Sequence, residues 1–555
     1  MLLVPKVNLK YLLILSVWVF VVVGTVYVVQ FIVIYDPSVY VGGDRGARTS
    51  LIRDYLTSGQ YNQLVDVANE MELDVDPMRE RDFNEIVRDI ETRVPFLPLD
   101  FWARQTLIGR KKMKPQCGKF PSIFELEINN DLWQTQRTSN GTYQLFGAYM
   151  DNRKSNANDQ WYIRILGMID RVDTHLPMFC QIWYDQQEKP VIVPLEEYHY
   201  IWIKSWGNAF DGQYQPYLLS CPIPWDHRHL VPVSVSLVEQ QCATATNNLK
   251  VLYNRPLDNE KKMFAVCVKG LDFLYQDLSV RLIEWIELLG ILGADKIYFY
   301  DLQIHPNMSK VLQYYKKLNK VEVTKLTLPA GKPNIPGLQH LFLTQKLYQK
   351  RQNEIIPYND CLYKNMYKYQ YITLLDIDEV IMPKGDILNW RELMEMISAK
   401  ADHGSPLPFP SYNFRNVYFL DSHYHLDRTS PESRDIPEFL HMLQHTNRAA
   451  VYSAPNEHVK CIHRANRILT LHNHFAMSCL QGSCAAYEID VEDAQLQHYR
   501  YDCVTTVQRK CHNMTEFYVS DKNIYKFKDD LIKRSLKTLY QLGFLKFRND
   551  STVSP

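Results

Sequence analysis

The sequence predicts an α/β protein: a mostly parallel sheet with helices on both faces, preceded by a β-rich domain and an N-terminal transmembrane helix. Three observations carry this reading. Residues 11–34 are almost wholly apolar, residues 116–255 carry short aromatic and β-branched runs, and from Met263 onward apolar strands alternate with amphipathic helices.

The first observation concerns the N-terminus. From Tyr11 to Ile34 only Ser16, Gly24, Thr25 and Gln30 interrupt the apolar run. At about 1.5 Å per residue such a helix crosses a hydrocarbon core of roughly 30 Å with some tilt. A cleaved signal peptide has a shorter apolar core and a small-residue cleavage site, and no convincing site of that kind is present. Lys6 and Lys10 precede the span and Asp36 follows it. Residues 1–10 are therefore read as a cytoplasmic tail, 11–34 as a signal anchor and the rest as lumenal, although Arg45, Arg48 and Arg53 soften the charge contrast. The compartment expected is the Golgi membrane, in a single-pass type II orientation.

The sequons at Asn140, Asn307, Asn513 and Asn549 suit a lumenal body, as do 11 cysteines. An odd count leaves at least one thiol free or intermolecular. Cys479 with Cys484 and Cys503 with Cys511 are close enough along the chain to pair locally. Lysine plus arginine balance aspartate plus glutamate at 62 each. That removes the basic excess a nucleic-acid-binding protein normally shows.

Residues 35–115 form a stem. Its one helical stretch places Phe83, Ile86, Val87, Ile90 and Val94 on a single face, which must pack on the body or on a second copy, so a homodimer through anchor and stem is one expectation. In the β-rich region, 116–255, the runs Tyr143–Tyr149, Trp161–Leu166, Pro177–Trp183 and Val191–Pro194 are strands, whose aromatics are more simply core than a glycan groove.

The third region spans 256–520. Met263–Val268, Lys296–Tyr300, Val321–Leu326 and Tyr371–Leu375 are strands. Asp277–Leu292, Met308–Leu318, Gly337–Arg351 and Tyr358–Tyr369 are helical. Residues 521–555 close the chain with an amphipathic helix over Phe527–Leu542. In such sheets ligands bind beyond the carboxyl ends of the strands.

One motif sits at that end. Tyr371–Leu375 runs into Asp376-Ile377-Asp378-Glu379. If the backbone stays extended, alternation puts Asp376 and Asp378 on one side, about 6.5–7 Å apart. Paired carboxylates there suit a hard divalent cation, Mn²⁺ or Mg²⁺, which also holds a diphosphate and neutralises charge on a departing nucleotide. No Walker-type loop and no Gly-x-Ser-x-Gly elbow is present.

The stretch from Cys267 to about Arg500 resembles glycosyltransferase family 92. The resemblance rests on Cys-Val-Lys-Gly-Leu at 267–271, the run Glu284 to Asp301, Asn359-Asp-Cys361, Leu-Leu-Asp-Ile-Asp-Glu at 374–379 and His498-Tyr-Arg500. Phe146 to Arg153 is also similar. It implies a GT-A-like, Rossmann-type fold and an inverting transferase. Similar members move galactose from UDP-galactose, some of them onto fucose in a β1,4 linkage.

The resemblance also directs the search for further site residues. A late histidine usually completes a GT-A metal site, and His474 or His472 is expected to do so, with His498 in reserve; a histidine ligand favours Mn²⁺ over Mg²⁺. Asp301, Asn359 and Asp360 are candidate donor contacts, and Arg281 a candidate phosphate contact. An inverting transfer needs a carboxylate base on the acceptor side. Asp435 is chosen from Asp421, Asp427, Glu432, Asp435 and Glu438, which lie around a polar segment, Ser422–Pro437, that can act as a lid. Three other readings compete. A structural zinc site could use the Cys/His-dense region 458–512. The chain could be an inactive glycan-binding scaffold, or a metal-dependent hydrolase of nucleotide-sugars.

Overall fold

The computed structural model describes residues 85, 87–102, 117–154, 159–185, 187, 189–404, 406–424, 431–502 and 514–546. The expected anchor, most of the stem, and Cys503 with Cys511 lie outside them. No helix among the described residues is long and apolar enough to cross a membrane.

Ten strands form the first sheet: β1 (Ile128–Asn129), β2 (Trp133–Thr138), β3 (Gly141–Asp151), β4 (Trp161–Ile169), β5 (Phe179–Tyr184), β6 (Val191–Pro194), β7 (Glu197–Tyr200), β8 (Gln215–Ile223), β9 (Pro232–Val238) and β10 (Leu249–Leu252). Their order is β6-β5-β9-β10-β3-β4-β8-β7, with β2 paired to β3 and β1 to β2. The aromatics here are mostly core, since Trp133, Tyr143, Tyr149, Trp183, Tyr184 and Tyr217 are all buried. The end of the stem packs on this sheet. Phe96 lies against Phe146 and Tyr149, and its carbonyl accepts the Lys250 amide at 2.7 Å.

The second sheet has seven strands. In chain order they are β11 (Lys262–Phe273), β12 (Lys296–Ile304), β13 (Val321–Lys325), β14 (Tyr369–Leu374), β16 (Ser411–Phe414), β19 (Lys460–Arg464) and β22 (Ala486–Glu488). Spatially they run β13-β12-β11-β14-β19-β16-β22. The first four are mutually parallel, β19 is antiparallel to both neighbours, and β22 is parallel to β16. The architecture is therefore mixed α/β. A smaller sheet orders β15 (Glu379–Pro383), β23 (Ala494–Arg500) and β17 (Asn416–Leu420) as β15-β23-β17, and β18 (Asn447–Ala449) pairs antiparallel with β24 (Tyr518–Ser520).

Alternation along the central strands builds two cores. Ala265, Cys267, Tyr298, Tyr300, Ile372 and Leu374 face a core shared with the ten-stranded sheet. Phe264, Val266, Ile297, Phe299 and Tyr371 face the other. That other face is covered by α1 (Ser279–Leu292), α2 (Pro306–Lys317), α5 (Trp390–Ala401) and α7 (Lys528–Gln541). Gly293 ends α1 at φ 101°, a left-handed conformation that glycine adopts without the Cβ clash.

Between the two sheets runs α4 (Leu347–Asn365), just after the short α3 (Leu338–Gln345). The sequence places two helices here, at 337–351 and 358–369; the break falls instead at Lys346, between α3 and α4. From there α4 continues through Pro357. Burial of Ile355, Ile356, Pro357 and Tyr358 against both sheets outweighs the lost backbone hydrogen bond. Among the described residues four disulfides form, Cys117–Cys242, Cys180–Cys221, Cys267–Cys361 and Cys479–Cys484; the third ties α4 to β11 and the last is one of the two local pairs expected from sequence. Cys461 is free and buried.

Candidate active site

The Asp-x-Asp segment is a turn rather than an extended strand end. β14 stops at Leu374, and the Glu379 amide donates to the Asp376 carbonyl at 3.0 Å. The Glu379 carboxylate reaches back to the Asp376 amide at 2.9 Å. From the opposite face, Trp285 of α1 donates its indole N–H to the Glu379 carbonyl at 2.8 Å. The alternation argument therefore fails at its last two residues, because three hydrogen bonds close the turn. Burial and the charge of Asp376 both oppose ionisation of Asp378, but His498 outweighs them and holds its carboxyl below the ordinary range.

Cations surround this turn. Lys269, in the register irregularity of β11 between Cys267 and Gly270, places Nζ 3.0 Å from Asp376 Oδ2. Lys460 of β19, with no exposed side-chain surface, lies 3.5 Å from Asp376 Oδ2 and 3.3 Å from Glu379 Oε2. Burial disfavours every charge here, but these ammonium groups hold the Asp376 carboxyl well below its ordinary range. Burial instead pushes the Glu379 carboxyl up, against the pull of Lys460. Asp376 Oδ1 is buried and has no hydrogen-bond partner.

On the far side, His498 of β23 lies with Nε2 3.4 Å from Asp378 Oδ2 and Nδ1 3.6 Å from Glu379 Oε1. The register Glu379↔His498 places it there, and its ring stacks on Tyr418 of β17. Arg500 approaches Asp378 at 3.9 Å. The histidine held in reserve is thus the one the structure brings to the motif.

His472 and His474 fall elsewhere. They occupy the bend between β20 (Ile468–Leu471) and β21 (Ala476–Cys479), closed by the His472 amide donating to the Phe475 carbonyl at 2.9 Å. His472 packs on Trp206 and Phe475. His474 donates from Nδ1 to the Val459 carbonyl at 2.8 Å. It is Asn473, between them, that touches the site, accepting hydrogen bonds from Lys460 and from Tyr358.

The donor candidates divide. Asp301, near the carboxyl end of β12, is partly buried, and its Oδ1 lacks a partner; burial raises its carboxyl. Asn359 and Asp360 are fully enclosed. Asn359 bonds the backbone of Ile355 and Leu471, while Asp360 accepts from Tyr149 and Tyr300 and pairs with Lys364 at 2.7 Å. With both polar ends committed inside the core, these two are structural and offer a nucleotide no face. Arg281 is exposed on α1, where its charge opposes protonation of His441 and His445.

Among the base candidates, Asp435 and Glu438 are exposed, Glu432 pairs with Lys522 at 2.6 Å, and Asp427 lies outside the described residues, as do 425–430 of the expected lid. Asp421, at the end of β17, sits beside His441 and His445. Within the Cys/His-dense region the described Cys479 and Cys484 form a disulfide, and no group of three metal-ligating side chains converges there among the described residues.

Sequence reasoning missed Glu379, Lys269, Lys460, Asn473, His441 and His445. Lys269 lies in a quoted motif, but its direction depends on a bulge. A cavity of about 470 Å³ lies away from the turn, among Arg153, Arg255, Lys261 and Arg467. Arg153, Lys261 and Arg467 donate to backbone carbonyls there, and Arg255 to the Asn259 side chain.

Comparison with known proteins agrees with the resemblance. Residues 262–535 match the family described as glycosyltransferase family 92. A curated relative, the β-1,4-galactosyltransferase galt-1 of Caenorhabditis elegans, is 26% identical over 263 residues, covering 46% of this chain and 53% of the relative. The match thus spans about half the relative's length. A solved structure, S. aureus TarS residues 1–349, aligns with 10% identity over 50% of this chain and 72% of that one; its TM-score of 0.20 supports no argument.

Proposed function

This chain belongs to glycosyltransferase family 92 through residues 262–535, and from that premise we propose that it is an inverting transferase moving galactose from UDP-galactose onto a glycan acceptor. A fucose-bearing glycan, joined in β1,4 linkage, is the acceptor to test first. The name of the curated relative supports the sugar.

The observation that carries the reading is the unpartnered, buried Oδ1 of Asp376, in a turn that also presents Asp378 and is flanked by two lysines. A buried carboxylate oxygen without a donor costs free energy unless a ligand completes it. Asp376 and Asp378, with His498 3.4 Å from Asp378, are donor types that suit a divalent cation, although their ligand atoms do not converge within 4.8 Å and would have to move to share one; an imidazole favours Mn²⁺ over Mg²⁺. Such an ion supplies neutralisation of diphosphate charge.

The chain's own residues do the rest. Lys269 and Lys460 keep Asp376 ionised and add positive potential where a diphosphate would lie. Trp285 and Glu379 hold the turn in shape, so its carboxylates need no reorganisation. Asp301, at the carboxyl end of a parallel strand, is placed to accept from a donor ribose or base. We also place the protein in the Golgi membrane as a type II protein, on the apolar segment Tyr11–Ile34.

The test is turnover of a UDP-sugar panel by purified protein with Mn²⁺, with and without a fucose-bearing glycan, beside Asp376→Asn and Asp378→Asn. Acceptor-stimulated UDP release with one sugar, lost in both variants, is expected. UDP release indifferent to acceptor would make the protein a hydrolase, and no turnover of any UDP-sugar by folded protein would sink the enzyme reading.

A further inference from the structure

A second convergent cluster lies outside the Asp376–Glu379 turn. β17 runs directly into Asp421, while α6 (His441–Gln444) opens with His441 and is capped at its end by His445, four residues on. One ligand atom from each of the three lies within 4.8 Å of the others. His445 Nε2 stands 3.1 Å and His441 Nε2 3.9 Å from Asp421 Oδ1. All three of these atoms are buried, and none has a hydrogen-bond partner.

The surroundings fix the ligands. His445 donates from Nδ1 to the His441 carbonyl at 2.7 Å, which leaves the Nε2 lone pair facing the cluster. The fully buried Glu284 of α1 accepts the amides of Met442 and Leu443, both at 3.0 Å, and so holds α6 in place. Tyr424 packs on the His445 ring. Tyr499, whose amide donates to the Asp378 carbonyl at 2.8 Å, presents its ring to both histidines. Tyr499 thus meets the turn through its backbone and the cluster through its ring. Asp421 keeps 30% of its side-chain surface exposed, against 10% for His441 and 8% for His445, which gives an ion a route in.

We propose that Asp421, His441 and His445 bind one divalent transition-metal ion, Zn²⁺ by preference, at a site separate from the Asp376/Asp378 turn. Two imidazole nitrogens and one carboxylate oxygen select a borderline metal over Mg²⁺ or Ca²⁺, which prefer all-oxygen shells. Tetrahedral ligands about 2.0–2.1 Å from zinc lie about 3.3 Å from one another. The observed 3.1 and 3.9 Å bracket that spacing, so small side-chain movements suffice. Three protein ligands leave a fourth position for water. The site depends on neither the transferase reading nor the donor.

Chelator-stripped protein titrated with Co²⁺ tests this, with no nucleotide present. One equivalent is expected to give the visible bands of a four-coordinate nitrogen–oxygen site, and Zn²⁺ should displace it. Asp376→Asn and Asp378→Asn should leave those bands unchanged. His445→Gln should weaken Co²⁺ binding at least tenfold, and so should Asp421→Asn, a partly exposed position where a folding defect is least expected. Circular dichroism checks that each variant is folded. The proposal is overturned if folded parent protein gives no such bands, or if they vanish in Asp378→Asn yet survive in both cluster variants.

Discussion

Replacing Lys460 with methionine tests the electrostatics of the turn most directly. The ammonium has no solvent and faces Asp376 Oδ2 at 3.5 Å and Glu379 Oε2 at 3.3 Å, with these two side chains only 16% and 3% exposed. At an effective dielectric near 20 each attraction is roughly 5 kcal/mol gross. Desolvation of the ions offsets much of that, but removing one partner of a buried pair leaves the other charge uncompensated, at about 3–5 kcal/mol. Methionine keeps the volume and unbranched shape of the stem, so packing changes little. After the substitution Lys269, 3.0 Å away, is the lysine left beside Asp376, and Glu379 keeps only the His498 ring, at 3.6 Å.

Its carboxyl, already raised by burial, then rises further. A carboxyl whose folded pKa lies above its unfolded value contributes stability that is present at low pH and lost as pH rises through the folded pKa. Urea unfolding of Lys460→Met should therefore show a deficit of about 3 kcal/mol or more at pH 7.5 and a smaller one at pH 5.5. An unchanged midpoint at both values, with m unchanged, would refute the claim that Lys460 balances the turn.

Two further outcomes are expected. Asp301→Asn should raise the KM for the UDP-sugar about tenfold or more, yet stabilise the protein by on the order of 1 kcal/mol, because it removes a partly buried carboxylate whose Oδ1 has no partner; steady-state kinetics and thermal unfolding check both. Burial takes His463 from 6.5 down to about 3, so its neutral form stabilises the fold above pH 6.5, and that stability is lost progressively as pH falls towards 3. The loss is about 1.4 kcal/mol per pH unit in that window, and His463→Gln should reduce the acid-limb slope by about one proton when stability is measured against pH.

The sequence by itself determined the elements whose signal is local. Strands and helices from Lys262 to Lys325 were legible because apolar periodicity of two or 3.6 residues is imposed by one element packing on one face. The Asp-x-Asp motif could be read as following an apolar strand, though not as the turn it forms, and the Cys479–Cys484 disulfide was legible because the two lie five residues apart. The bounds of the helices at 337–351 and 358–369 were not legible, since the burial that carries α4 unbroken from Leu347 to Asn365 comes from two sheets distant in sequence.

Tertiary structure alone decided the partners. His498 reaches Asp378 because β23 pairs with β15 in the register Glu379↔His498, a choice no spacing rule could rank above His472 or His474. Lys460 meets Asp376 because β19 lies antiparallel beside β14, 84 residues along the chain from the carboxylate it balances. Asp360 lies between Tyr149 and Tyr300, from strands of two different sheets, and so became core rather than a donor contact. Charge acts through space and burial through the whole surrounding shell, whereas sequence records only neighbours along the chain.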